Sequence, residues 1–554
     1  MLLAALDHLI GTYVKATDKG FACIHDTLFR NLSFIVGSSI IHCLLKYDKS
    51  EFLANRLQLI SIEQEHDKLV IMVKPEQEEL YFQRILLDIR KGNHSIVFTG
   101  IQMKHSRFRS KLRNCLKSLK DIDVTCDANN STPLHVVSEQ GYEDLVFALY
   151  QIKKDQINHQ DNSKRTPLFM ACLGGHDKVI QTILGIDHSS LHIADSEDLM
   201  PLDAASLNDY SSTVALLLKK GANINRKDKT LKRTTFQRAC ESGSIKVVSE
   251  LLTFKPDIKN TDIHGLKAIH IACQRGHLNI VKILLEYKDM THECDAHGRT
   301  PLWTACESNQ QDIVRLLLKN KANVNQIDVK QISPLYIACQ IGNDNIVGVL
   351  LDNFAKVNIK SDNGYSPLHV ASMKGKLKCV EILLDKNAET DLATEQGWTA
   401  FFLSCSKGHL DICKLLHVSG ANVNVRDKSA NTPLHVACRE KHERIARFLI
   451  DRDANVNAVN TSKESPLYIA CGKESVDVVQ LLIDNHADVN IHNEKGNSPL
   501  HIACIKGNTT IVQLLLDQKA NKQKRNKAGK TPFDIVQEKK NDTIVDMFKS
   551  HEEK

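Results

Sequence analysis

A few groups of residues in this chain have the types that chemistry requires. His292, Cys294 and His297 fall in one short stretch and offer zinc-binding side chains, but a closed structural site takes four ligands and no fourth stands nearby in sequence. His25 and Asp26 are adjacent; neighbours on a helix point in different directions and no nucleophile accompanies them, so the pair reads as helix capping. Zinc-protease, kinase, nucleophile-elbow and dinucleotide-loop patterns are missing, as is the glycine-rich loop ending in Gly-Lys-Ser/Thr that surrounds phosphates. The expectation is no catalytic residue, no metal, no cofactor, and therefore no enzyme. One charged run stands out: Lys519, Lys522, Lys524, Arg525, Lys527 and Lys530 have no acidic residue between them. Such a run reads as a solvated terminal cap, or as a nuclear import signal or a contact for an anionic partner.

The chain contains 16 cysteines, and nine of them obey a period. Cys172, Cys240, Cys273, Cys306, Cys339, Cys405, Cys438, Cys471 and Cys504 each come five residues after a slot that is usually proline, and that slot returns every 33 or 34 residues from Pro133 to Pro532. Packed helices of adjacent units lie ~8–10 Å apart, whereas a disulfide needs Cα atoms within ~7 Å, so equivalent cysteines cannot pair. They read as small buried fillers, consistent with a reducing compartment.

The elements that position these residues can be read from one unit, Asp295 to Lys330. Asp295 lies in a Gly-containing turn and can bond backbone amides, and Thr300 supplies a cap for the first free N–H groups of a helix. Pro301 fits the first helical turn, where its missing N–H costs nothing. The equivalent caps are Thr132, Thr166, Thr300, Ser333, Ser366, Thr399, Thr432, Ser465, Ser498 and Thr531, while Met200 and Lys267 break the rule. Leu302, Ala305 and Cys306 share a helical face, a turn comes near Asn309 where eight units carry glycine, and Ile313, Val314, Leu316 and Leu317 mark a second helix. Ala322-Asn323-Val324-Asn325 then leads into a projecting hairpin. Neither helix can bury its apolar face alone, so each copy depends on the next.

With its Thr-Pro-Leu-His phrase and 33-residue period, the stretch from about 131 to 551 resembles the ankyrin-repeat family, in about thirteen copies. The resemblance implies a mostly α solenoid of helix-turn-helix plus hairpin units, whose hairpins and first helices form a concave surface that grips other proteins. On that geometry the residues two before the proline slot face the partner: Arg233, Leu266, Arg299, Ile332, Tyr365, Trp398 and Asn431 are the expected contacts. Arginine and large aromatic residues dominate binding hot spots. Departures from the phrase at Met200, Asp203, Thr235, Gln237 and Thr399-Ala400-Phe401-Phe402 raise the expectation of a bend or weaker local stability there.

Residues 1–100 lack the period. Phe21-Ala22-Cys23-Ile24-His25-Asp26-Thr27-Leu28-Phe29 resembles the winged-helix end of an invertebrate STAND-type NTPase, which implies a small helical module without a nucleotide site. This resemblance supplies a second functional reading: the chain is the sensor arm of such a signalling NTPase, in one setting innate-immune, with the ATPase core outside this sequence. Residues 101–130 read as a basic linker helix and degenerate half repeat, with Phe108, Leu112, Leu116 and Leu119 on one strip. A net charge of +6 is too small to argue for specific nucleic acid. Leu32–Leu45, interrupted by Ser38, Ser39 and His42, is shorter than the ~20 apolar residues of a membrane span and reads as buried helix. With no signal peptide evident, the expected setting is the cytoplasm, with nuclear entry allowed, and the expected partners are proteins.

Overall fold

The computed structural model describes residues 14–17, 20–23, 41, 45, 50–61, 71–119 and 125–551. Two compact units divide the chain, residues 1–271 and 272–554. His25 and Asp26, most of the apolar Leu32–Leu45 stretch, and residues 121–124 lie outside the described residues.

The first unit begins with short strands as well as helices. Val14–Thr17 pairs antiparallel with Gly20–Cys23, and Leu57–Leu59 pairs parallel with Ile71–Val73. Buried Gln102 ties the second sheet to its surroundings, accepting from the Leu59 N–H (3.1 Å) while its amide donates to the Tyr81 hydroxyl (2.9 Å). The helix Ser106–Leu116 buries Phe108, Leu112 and Leu116, with Phe82 stacked on Phe108 at 5.5 Å. It packs on the second helix of the first repeat, Glu143–Ile152, while His94–Thr99 packs on the first helix, Pro133–Glu139. The leading helix pair therefore stacks as a repeat does, and its first helix begins before the boundary expected at residue 100.

From residue 131 onward each unit of sequence forms two antiparallel helices. In the second unit of the structure, for example, Pro301–Glu307 is succeeded by Gln311–Lys319, and Pro334–Ile341 by Asp344–Asp352. Apolar spacing explains the burial: Leu302, Ala305 and Cys306 on the first helix and Ile313, Val314 and Leu317 on the second are at most 1% exposed. Within each unit, first helices pack on first helices, and second helices on second helices, of the neighbouring copies. The turn between the two helices always contains a residue at positive φ, glycine in eight units and Asp209, Asn309, Lys441, Glu474 or Lys540 in the others. Glycine meets this demand without steric cost.

A hairpin-like turn joins one helix pair to the next, and Asx side chains hold it. Asp295 Oδ1 accepts from the N–H groups of His297 (2.8 Å) and Arg299 (2.9 Å), and Asp328, Asp427 and Asn493 repeat the pattern. Consecutive turns are joined by backbone bonds such as Val329 N–H to His297 O (3.0 Å) and Lys428 N–H to Gln396 O (2.9 Å). A second ladder runs through asparagines: Asn325, Asn424, Asn457 and Asn490 each accept, at 2.8–2.9 Å, the N–H of a residue one repeat onward.

All nine periodic cysteines are free and at most 1% exposed. Burial pushes their thiols up, Cys504 to about 12. Iodoacetamide applied to the native protein is therefore expected to label half-exposed Cys115, Cys126 and Cys294 well before any periodic cysteine. Equal labelling rates, read by peptide mass spectrometry, would refute the stacked packing. One local strain is also measurable: Phe354 occupies a left-handed position (φ 64°) at the end of Asp344–Asp352 while 88% exposed. Such a conformation costs a bulky residue about 1–2 kcal/mol, so Phe354→Gly should raise stability by about 1 kcal/mol in chemical denaturation.

Candidate protein-binding surface

Each first helix begins at a capping position, and the residues next to the cap decide which side chains face outward. The hydroxyls of Thr166, Thr300, Ser333, Ser366, Thr399, Ser465, Ser498 and Thr531 accept from the N–H three residues on, at 3.1–3.4 Å. Thr132 and Thr432 instead place their hydroxyls 2.8 Å from the Nδ1 atoms of His135 and His435. At the broken position Met200, Asp203 takes over by accepting the Met200 N–H at 2.8 Å.

In several copies the residue two after the proline slot bridges to the next copy. His135, His369, His435 and His501 accept the cap residue's own N–H at Nδ1 (3.1 Å each). Their opposite nitrogens lie 2.9–3.2 Å from the carbonyls of Arg165, Trp398, Glu464 and Lys530 in the next copy. A carbonyl can only accept, so each ring is neutral with its proton on Nε2. Gln237 fills the same slot with the same two bonds, accepting from Thr234 N–H (3.0 Å) and donating to Leu266 O (2.9 Å). Trp303 donates its indole N–H to Ile332 O (3.2 Å). Phe402 has no donor and stacks on Trp398 instead (6.5 Å, 12°).

The seven expected contact residues divide into two groups. Arg233, Leu266 and Asn431 are only 5–7% exposed, which corrects their assignment as outward-facing contacts. Arg233 is spent on Glu241 (2.5 Å) and Asp262 (3.0 Å); Asn431 donates to Asp427 and accepts from Arg439 and Asn460, all at 3.1 Å. Leu266 is packed into the first unit. Arg299, Ile332, Tyr365 and Trp398, all in the second unit, stay half-exposed. The Arg299 guanidinium lies 5.2 Å over the Trp303 ring while donating to Asp295 at 2.7 Å, and Tyr365 meets His369 edge-on at 6.0 Å. Burial raises the Tyr336 hydroxyl pKa, with Tyr365 adding to it. Tyr336 is half-exposed on the same surface, while Trp303 and Phe402, 5% and 3% exposed, support Arg299 and Trp398 from within. Sequence reasoning missed them because it tracked one column, although their register, two after the proline slot, is equally periodic.

The remaining candidates are not gathered into sites. Among the described residues no group of three or more His, Cys, Asp or Glu side chains is placed to hold a metal, His292, Cys294 and His297 included. Among them also, no helix is long and apolar enough to cross a membrane. In the basic run, Lys530 pairs with Glu538 (2.5 Å), Arg525 lies 3.7 Å from Asp534, and Lys522 donates to His551 O (2.9 Å).

Comparison with known proteins agrees with this geometry. The family described as ankyrin repeats (3 copies) matches residues 104–193, 134–228, 236–328, 326–394, 387–460 and 467–553, well over half of the chain. The chain belongs to the ankyrin-repeat family, whose repeats generally mediate protein–protein interaction and are typically non-enzymatic. It is 32% identical over 120 residues to a putative ankyrin repeat protein of Rickettsia felis, covering 22% of this chain and 39% of that protein. It is 24% identical over 146 residues to Rabankyrin-5 of Mus musculus, covering 26% and 12%, and 32% identical over 117 residues to alpha-latrocrustotoxin-Lt1a of Latrodectus tredecimguttatus, covering 20% and 8%. The matched region spans much less than two thirds of these relatives' own lengths.

The neutral histidine bridges make stability depend on pH. Burial lowers His135, His369 and His435 from 6.5 to about 4, so the unfolded chain binds more protons between these values and stability falls as pH drops from about 6.5 to 4. Each imidazole contributes on the order of 3 kcal/mol across that window. His369→Gln and His435→Gln together, copying Gln237, should flatten the fall in thermal midpoint. An unchanged pH slope would sink this account.

Proposed function

We propose that this chain is an intracellular interaction scaffold or adaptor that captures partner proteins on the half-exposed face of its second unit, built from Arg299, Ile332, Tyr336, Tyr365 and Trp398, with buried Trp303 and Phe402 packed against it. The observation that carries this reading is the arrangement of these side chains. Large rings and a guanidinium are held by neighbours in the same unit and line a face that is still partly open, so a partner buries them without the loss of many rotamers. Chemistry is left to the partner, with no cofactor required of this chain. The free, buried periodic thiols support a reducing compartment, the cytoplasm with access to the nucleus.

No observation on residues 1–100 favours the reading as a STAND-type sensor arm: the family match starts at residue 104, and the central His25-Asp26 of the resemblance lies outside the described residues. Gly529-Lys530-Thr531 matches only the end of a phosphate loop. There Thr531 caps a helix and Lys530 is paired with Glu538.

Trp398→Ala combined with Tyr365→Ala should remove roughly 2–4 kcal/mol of binding, seen as loss of specifically captured proteins in affinity purification, while the thermal midpoint moves by only a few degrees. Unchanged capture by a folded double variant would overturn the assignment of this face.

A further inference from the structure

The periodic cysteines are kept apart by the repeat, but the copy that departs from the Thr-Pro-Leu-His phrase at Ala400-Phe401-Phe402 contains an additional thiol. Cys405 lies on the first helix of that copy, Ala400–Lys407, and Cys413 on the second, Leu410–Val418. Their Sγ atoms are 3.5 Å apart, and both residues are 0% exposed. Ser404 Oγ, which donates to Phe401 O at 2.8 Å, lies 3.1 Å from Cys413 Sγ. The position of Cys413 is valine in most copies, as at Val314, Val347, Val380, Val479 and Val512, and alanine at Ala446 of the next copy. The contact is therefore an addition to the repeat, whose packing at this position is satisfied by an aliphatic side chain.

We propose that Cys405 and Cys413 form a modification site, a dithiol that a peroxide converts into an intra-repeat disulfide. One thiol, as its thiolate, attacks a peroxide oxygen, breaking the O–O bond and giving a sulfenic acid and one water. The second sulfur then attacks the sulfenic sulfur, forming the S–S bond and expelling a second water. The two thiols lose two electrons, and the peroxide gains them. To bond, the sulfurs must close by about 1.5 Å. The Cys405 thiol bonded to it holds Cys413 below its ordinary value, whereas burial pushes Cys405 well above.

Neither thiol is open to solvent in the closed fold. An open groove passes Gly408, Leu410, Ile412 and Lys414 and continues to His442 of the next copy, and neither cysteine lines it. Local opening of the Gly408 turn, where the backbone is left-handed (φ 84°), exposes the dithiol to small oxidants without unstacking the array.

The test uses the full chain, oxidised with limiting hydrogen peroxide until half-exposed Cys294 is consumed, then unfolded, alkylated and mapped by mass spectrometry. The expected result is a linked Cys405–Cys413 peptide that dithiothreitol releases, with alkylation lost at both positions and retained at Cys438 and Cys471. Cys413→Val, which restores the side chain of most copies and so keeps the fold, should leave Cys405 fully alkylated. Two results would overturn the proposal. In one, Cys405 and Cys413 stay as alkylatable as Cys438 in the oxidised wild type; in the other, Cys405 is consumed equally in Cys413→Val, marking single-thiol oxidation.

Discussion

In several repeats the first helix is held by a hydrogen bond that the copy cannot make by itself. The side chain two after the proline slot accepts its own cap's N–H and donates to a carbonyl in the next copy, as His369 does with Ser366 and Trp398. Both groups are buried, and a buried N–H or carbonyl left unpaired costs more than the bond adds when made. One imidazole therefore serves helix initiation and copy-to-copy registration together. Gln237 reaches the same two partners with an amide, and Trp303 makes the second bond alone. The geometry, rather than the residue type, defines the bridge, and Phe402 replaces it by stacking on Trp398.

The interaction surface is a by-product of that registration. Because the bridge fixes the backbone just before each cap, it also fixes where the side chain of the residue two before the proline slot emerges, beside the ring four residues later. Arg299 over Trp303, Tyr365 against His369, and Trp398 on Phe402 are successive instances. Where that slot carries a charge or amide with counterparts on both sides, the position closes: Arg233 is held by Glu241 and Asp262, and Asn431 by Asp427, Arg439 and Asn460. The open part of the column holds Ile332, two rings and Arg299, whose guanidinium pairs with Asp295 yet stays half-exposed.

Fold and surface were not equally legible. The start of every first helix, the glycine turn and the buried cysteines derive from local chemistry, since caps, left-handed turns and small apolar residues act within a few residues of themselves. Exposure in the contact column did not. Arg233 and Arg299 look equivalent in sequence, and only the placement of Asp262 beside Arg233 buries one of them. The dithiol was missed for a related reason: period reasoning compares equivalent positions across copies, whereas Cys405 and Cys413 are inequivalent positions within one copy.

The sequence alone determined the repeating unit, its helix starts and its inward faces, because a 33-residue period of caps, turn formers and apolar residues leaves few ways to bury those faces. The tertiary structure decided which periodic residues are spent on neighbours and which remain open to a partner, and which two thiols touch. Those outcomes depend on distances of about 3–4 Å between residues far apart along the chain or on separate helices, and helix-helix packing sets such distances while no local rule encodes them.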